Sequence, residues 1–293
     1  MKIGFLVAGF KGFSFFKSIC TDCHVQFVAS YNTKGTLHNS LEDIQSICLE
    51  SGYPFFMQND LTSELLATAD IVFVAGWQYI IEQVDERFVV LHDSLLPKFR
   101  GFSPTVTSLI LGKKEIGVTA LKPLNSVVDT GEIYEQKSIP ISYPIKIRDA
   151  YILLGEAYAQ VARNILDKFA KHTLTSFPQN EAEATFSIWR DEDDYYIDWN
   201  WSAEKILRFV DAVGYPYCGA RAIYKSKPIF VDQVAVSGDR QFEERYPGKI
   251  WCITQGVPEV ICGSGMIKIL AARDEFGAPI VFDRLRERLT KKN

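Results

Sequence analysis

The chain has 293 residues, 47% of them hydrophobic and 23% charged, with a formal net charge of −4. That is the balance of an ordinary globular protein long enough for two domains, and it argues against a dominant nucleic-acid role, which needs a strong basic footprint. No apolar run approaches the roughly 18 residues of a membrane helix, and the N-terminal Met-Lys-Ile-Gly-Phe-Leu-Val-Ala-Gly lacks the apolar core and cleavage site of a signal peptide, so a cytoplasmic protein without a membrane partner is expected.

Residues 2–8 form a continuous apolar run that ends in Gly9-Phe10-Lys11-Gly12, and residues 13–19 continue at helical spacing. Strand, glycine turn and helix open a doubly wound sheet. With only Gly9 and Gly12 in the turn, the G-x-G-x-x-G dinucleotide fingerprint is missing. The turn is either a plain tight one or a cradle that presents backbone N–H groups and Lys11 to an anion. Residues 25–30 read as the second strand and 41–49 as an amphipathic helix capped by Asn39 or Ser40. A short strand at 54–57 and a short helix at 62–67 follow. Residues 70–75 are another buried strand, ending in Gly76-Trp77-Gln78-Tyr79-Ile80-Ile81.

The apolar residues 88–90 lead into Leu91-His92-Asp93-Ser94-Leu95-Leu96-Pro97 and Lys98-Phe99-Arg100-Gly101-Phe102, with a helix expected over 103–111. Residues 118–121 and 133–141 read as strands. Residues 147–171 carry the apolar stripe of one long helix (Ala150, Leu153, Leu154, Ala157, Val161, Ile165). Strands alternating with helices predict an α/β fold with a Rossmann-like, mostly parallel sheet covered on both faces.

After residue 180 the character changes. Residues 181–201 are dense in charge and aromatics and read as an ordered connecting segment; 202–213 form a helix with Ser202 as N-cap and Gly214 as its stop. From Tyr217 onward, short alternating runs at 220–224, 229–236, 248–254 and 259–270 are separated by Gly, Pro and Ser-Gly-Asp. They predict a small β-barrel, OB-like, or a sandwich after the helix. The expected organisation is therefore an α/β domain over 1–180, a connector over 181–201, and a helix plus barrel over 202–293. Exposed strand edges in a short barrel pair readily, which makes a homodimer one expected assembly. The six cysteines read as reduced structural thiols, and Cys20 and Cys23 lack a second pair to complete a zinc set. Asp191-Glu192-Asp193-Asp194 reads as a solvated turn, so no metal is expected.

His92 sits where a strand delivers a side chain to the sheet's carboxyl edge, the place where open α/β sheets put their chemistry. A lone histidine is more often a satisfied core residue. Here it is followed in order by Ser94-Leu95-Leu96-Pro97, Arg100-Gly101, Gly117-Val118-Thr119 and Asp129-Thr130-Gly131. An imidazole changes charge near neutral pH and is a natural proton handler. Asp129 alone reads as a turn former; beside an imidazole it orients the ring and stabilises its cation.

At these residues the chain resembles the folate-dependent formyltransferases, whose signature is Asn-x-His-x-Ser-Leu-Leu-Pro, then Arg-Gly, Gly-Val-Thr and Asp-x-Gly. One departure stands out: Val90 occupies the place of the family's asparagine. The resemblance continues through Ala184-Thr185-Phe186, Ile197-Asp198-Trp199, residues 213–220, Pro247-Gly248 and residues 262–265, as in the family's long members. It implies 10-formyltetrahydrofolate as formyl donor and His92 and Asp129 as catalytic residues. The cofactor-binding set is Trp77, Gln78, Tyr79, Ile80 and Ile81, which resemble the family's pterin pocket, together with Asn125. A hydrophobic loop anchor is the plainer reading of that stretch. The acceptor-binding set is Lys11, Phe99, Arg100, Gly101 and Phe102. Its aromatics suit stacking on a base or sugar, while Arg100 and Gly101, like Ser94 and Pro97, also have structural uses as ion pair, close approach, cap and turn.

The tRNA-modifying members, as the resemblance implies, carry a basic insertion after the second strand; here that loop is Asn32-Thr33-Lys34-Gly35. Residues 202–293 hold 15 Lys and Arg against 11 Asp and Glu, too weak an excess to drive phosphate-dominated binding. The expected function is N-formyl transfer to the amine of a nucleotide-linked amino sugar, as in surface glycan biosynthesis, with no nucleic-acid partner. The alternatives are a methionyl-tRNA formyltransferase and an inactive folate-binding homologue. Strand residues two apart share a face, which places Val90 beside His92, where a valine donates nothing to an oxyanion. An active enzyme that leans on the His92–Asp129 pair is expected.

Overall fold

The computed structural model describes residues 1–79, 81, 84–124 and 128–292. They divide into two compact units, one of residues 1–105, 114–141 and 148–189, the other of 106–113, 142–147 and 190–293.

The first unit is built on β1 (Lys2–Val7), β2 (His24–Ser30), β3 (Phe55–Met57), β4 (Ile71–Ala75), β5 (Phe88–His92), β7 (Glu115–Leu121) and β8 (Ile133–Pro140), in the order β3-β2-β1-β4-β5-β7-β8. The first five are parallel, and β7 and β8 complete the sheet antiparallel. The mostly parallel sheet read from the alternation is present. Strands β1, β4 and β5 are buried along nearly their whole length, as their unbroken apolar runs require. A separate ribbon pairs β6 (Arg100–Gly101) with β9 (Phe186–Ser187). The helices are α1 (Gly9–Ile19), α2 (Ser40–Ser51), α3 (Ser63–Leu66), α4 (Pro104–Ile110, which spans the division between the units) and α5 (Ile147–Ala170).

Local sequence explains where these elements start and stop. Asn39 accepts a hydrogen bond from the Glu42 N–H and caps α2, and Gly52 ends it at φ 71°. Thr62 caps α3 in the same way. Aromatic rings fill the core: Phe5 meets Phe16 edge-on at 5.2 Å, and Phe15 meets Phe73 and Tyr158 at 6.0 and 5.9 Å. A second cluster joins Leu6, Phe27, Val72, Val74 and Phe88. The strand expected at 118–121 begins three residues earlier, at Glu115. Pairing with β8, from Glu115 opposite Pro140 to Leu121 opposite Ile133, draws in residues whose own pattern is not apolar.

The second unit holds α6 (Ala203–Val213) and an antiparallel sheet of β10 (Ala220–Tyr224), β11 (Lys227–Ser237), β12 (Ile250–Thr254), β13 (Val257–Ile261) and β14 (Met266–Arg273), ordered β10-β11-β14-β13-β12. The barrel expected here is an open sheet with β10 and β12 at its edges. Ile206, Phe209, Val210 and Val213 of α6 are buried, and the helix packs on β10, β11 and β14, so the sheet is covered without closing on itself. Ser202 caps α6 through the Lys205 N–H at 3.2 Å. Among the described residues no helix is long and apolar enough to cross a membrane.

Candidate active site

His92 is the last residue of β5 and is 6% exposed. Its Nδ1 lies 3.4 Å from Asp129 Oδ2, and its Nε2 lies 2.9 Å from the Phe99 carbonyl oxygen. The ring is therefore held from both sides, by a carboxylate and by the turn that follows it. Two left-handed residues make this possible: Phe99 at φ 59° turns its carbonyl back, and Asp129 at φ 58° brings its carboxylate in from the β7–β8 loop. Asp129 Oδ2 also accepts the Gly101 N–H at 2.9 Å.

Thr119 stands directly opposite His92 on β7. Its hydroxyl donates to the Ser94 carbonyl at 2.7 Å and accepts from the Leu96 N–H at 3.1 Å and from Gln136 Nε2 at 2.8 Å. Gln136, opposite Thr119 on β8, also donates to the Leu96 carbonyl at 2.8 Å. This row of three paired residues pins the turn after His92. Gly117 serves the same turn differently: a Cβ there would stand 2.4 Å from Leu95 Cγ, so the glycine makes room for the leucine.

Arg100 is 2% exposed, and its guanidinium is spent on scaffold. It donates to Gln179 Oε1 at 3.1 and 2.8 Å and to the two oxygens of Glu181 at 2.8 and 2.6 Å. Gln179 Nε2 in turn donates to the carbonyls of Asp129 and Gly131, both at 2.8 Å. The Asp129 loop is thus held through Gln179 by a buried arginine. Phe99 N–H donates to Thr185 Oγ1 at 2.9 Å, and Phe102 is 46% exposed.

Lys11, in the first turn of α1, is ion-paired with Asp93, whose other oxygen accepts from Thr105 Oγ1 at 2.6 Å. Burial raises the Asp93 pKa, but the Lys11 ammonium, the neighbouring His92 and the hydrogen bonds from Lys11 and Thr105 outweigh it and bring the carboxyl down to about 2. The Tyr158 hydroxyl of α5 lies fully buried without a hydrogen-bond partner, and burial first, then the Asp93 and Asp129 charges, push it well above its ordinary value.

At the end of β4, Trp77 and Tyr79 meet Tyr31 edge-on at 5.1 and 4.7 Å. The Tyr31 hydroxyl accepts the Gln78 N–H at 3.0 Å and donates to the Gly76 carbonyl at 3.4 Å. Trp77 Nε1 is buried without a partner. Trp77 and Ile81 pack on the cluster of Val72, Val74 and Phe88, and Val90 does so too. Val90 lies between Val74 and Leu121 in register and also packs on Leu96, Leu121 and Ile133. Where the signature has an amide, this chain extends its core. Ile80 and Asn125 lie outside the described residues.

Of the sequence-derived set, the structure brings His92, Asp129, Phe99, Arg100 and Gly101 together around one ring and one loop. Lys11 joins them through Asp93. The sequence reading missed Asp93, Gln136 and Gln179. Asp93 had a signal, being a charged residue between a buried strand and an apolar turn; Gln179 had none, since it lies 50 residues from the loop it holds.

Residues 56–150 match the family model described as "Formyl transferase", and residues 190–283 match "Formyl transferase, C-terminal domain". A methionyl-tRNA formyltransferase of Marinobacter nauticus is 26% identical over 78% of this chain and 76% of its own length. HypX from Aquifex aeolicus, solved in complex with tetrahydrofolic acid, superposes with a TM-score of 0.65 at 16% identity over 96% of this chain, which spans about half (46%) of HypX. An N-formyltransferase from Helicobacter canadensis, solved with folinic acid and dTDP-3-aminofucose, gives a TM-score of 0.64 at 16% identity, covering 92% of this chain and 98% of that one. At these identities the two structures show a shared fold.

Proposed function

This chain belongs to the formyl transferase family, and from that premise we propose that it moves a formyl group from 10-formyltetrahydrofolate to the amine of a nucleotide-linked amino sugar. The observation that carries the reading is the buried His92–Asp129 pair, 3.4 Å apart at the carboxyl end of β5. In such a transfer the acceptor nitrogen bonds to the formyl carbon and sheds a proton, the carbonyl oxygen gathers negative charge, and the bond to the donor nitrogen breaks. His92 handles that proton and charge through Nε2 once it gives up its contact with the Phe99 carbonyl, and Asp129, fixed by Gly101 and through Gln179 by Arg100, orients the ring from the Nδ1 side and stabilises its cation. The Trp77–Tyr79 segment beside Tyr31, with its unpartnered indole N–H, suits a flat heteroaromatic donor.

The sugar acceptor is supported by the Helicobacter canadensis enzyme, solved with dTDP-3-aminofucose, and by the charge pattern. The segment between β2 and α2, residues 31–39, contains a single Lys and no Arg. A second reading, formylation of aminoacylated initiator tRNA, is favoured by the Marinobacter relative's name. The two differ in salt response, because a ligand held through many phosphates loses affinity steeply as salt rises. The test is a mass-spectrometric screen of nucleotide amino sugars for gain of one formyl group, run beside charged initiator tRNA at moderate salt. A formylated nucleotide sugar is expected and no formylated tRNA; efficient tRNA formylation would overturn the acceptor.

Val90→Asn is expected to leave turnover within about two orders of magnitude of wild type and to lower stability by about 1–3 kcal/mol, because the amide enters an apolar site formed by Val74, Leu96, Leu121 and Ile133. Kinetics and thermal unfolding of the variant check this. A larger rise in turnover would mark the wild-type site as a crippled one, closer to a folate-binding homologue.

A further inference from the structure

The segment after β4 carries two rings, Trp77 and Tyr79, but belongs to no helix or strand, and Gln78 and Tyr79 are exposed. Its root is fixed by Gly76, at φ 67°, where a Cβ would stand 2.2 Å from the Ala8 carbonyl oxygen. Beyond that root, a buried side chain reaches in from 45 residues away. Tyr31 is the residue after β2 and is 7% exposed. Its hydroxyl accepts the Gln78 N–H at 3.0 Å and donates, over a longer 3.4 Å, to the Gly76 carbonyl. Both backbone groups that flank Trp77 therefore close on one oxygen. The Tyr31 ring meets Trp77 and Tyr79 at 5.1 and 4.7 Å, with interplanar angles of 83° and 84°. Burial, opposed in part by the Gln78 N–H, pushes the phenol up to about 12, so the hydroxyl keeps the proton it donates.

The sheet order explains why a tyrosine is needed. β2 and β4 are not neighbours, because β1 lies between them. Two strand spacings are about 10 Å. A long side chain with a polar tip can cross the end of β1 and still pair with backbone on the far side.

We propose that Tyr31 is a positioning residue for the donor: it holds the Trp77–Tyr79 segment across the end of β1, so that both rings are set for a flat heteroaromatic ring before one arrives. A segment ordered in advance spares the ligand the entropy of ordering it. The buried Trp77 Nε1, unpartnered among the described residues, is held within the same clamp. Tyr31 acts only through its neighbours and takes no part in the chemistry.

The inference rests on the reading of residues 77–79 as donor-binding, and its test needs no formyl transfer. Tyr31→Phe keeps the ring contacts and removes both hydrogen bonds. Calorimetric titration with folinic acid is expected to show affinity about three- to tenfold weaker than wild type, the worth of one or two intramolecular hydrogen bonds. The Gln78 amide is expected to exchange faster with solvent while amides of β1 and β4 keep their wild-type rates. In turnover, the KM for the donor is expected to rise by a similar factor and kcat to change little. Unchanged affinity for folinic acid, a fall in kcat without a rise in donor KM, or faster exchange spread through β1 and β4 would each overturn the proposal, the last by marking general damage. A wild-type chain that binds no folinic acid would overturn the donor reading of residues 77–79 and the proposal with it, whereas wild-type binding matched by Tyr31→Phe would overturn the proposal alone.

Discussion

Replacing His92 with Ala is expected to lower formyl-transfer turnover by about 10²–10⁴, the span seen when a general acid–base is removed, in a protein that still folds. The ring touches both the Asp129 carboxylate and the Phe99 carbonyl at the carboxyl end of β5. Without it, the proton shed by an attacking amine loses the imidazole, and only the Asp129 carboxylate behind it remains. Val90 offers no donor to share the oxyanion, so nothing on the same strand face compensates. The fold is expected to survive, because Asp129 keeps the Gly101 N–H and Thr119 still pins the turn from Ser94 to Leu96. Single-turnover kinetics with the donor and the formylated sugar as product, alongside circular dichroism, check the result. A folded variant with near-normal turnover would place the chemistry elsewhere.

Gly131→Ala is expected to destabilise the protein by about 3 kcal/mol, at the upper end of overpacking effects, and to reduce turnover with it. A Cβ at this position would fall 1.6 Å from the Lys122 carbonyl oxygen and 2.8 Å from its carbon. Those are backbone atoms and cannot rotate away. The β7–β8 loop would have to open at the point where Lys122 N–H donates to the Glu132 carbonyl. That movement pulls on Gln179, which holds the carbonyls of both Gly131 and Asp129, and so withdraws the carboxylate from His92. Thermal or denaturant unfolding measures the first effect. Turnover measured well below the unfolding temperature measures the second. A variant as stable as wild type would mean that the loop accommodates a methyl group the observed backbone excludes.

Much of this architecture was legible because its causes are local. Unbroken apolar runs at β1, β4 and β5 announce strands buried on both faces, and side-chain caps at Asn39, Thr62 and Ser202 mark where helices begin. The His92 turn was legible as a motif, since its residues are close in sequence and chemically unusual together. The barrel was the weaker inference. Short alternating strands predict an antiparallel sheet, but whether it closes depends on what covers its face. Here α6 does so, and the sheet stays open with β10 and β12 as its edges.

By itself the sequence determined the class of fold, the order of its elements, the presence of a second antiparallel unit, and the two side chains, His92 and Asp129, that meet at the site. The first three follow from periodicity and capping, which are short-range properties of the chain; the pairing of His92 with Asp129 came from the resemblance to the formyltransferase signature. Only the tertiary structure decided how the charges around His92 are arranged. Lys11 reaches Asp93 across 82 residues, Arg100 reaches Gln179 across 79, and Gln179 reaches the Asp129 loop across 50. Such pairs carry no periodic signal, because either partner alone reads as a surface charge or a solvated amide. Burial in one place turns them into obligate partners, since a charge removed from water must find its counterion.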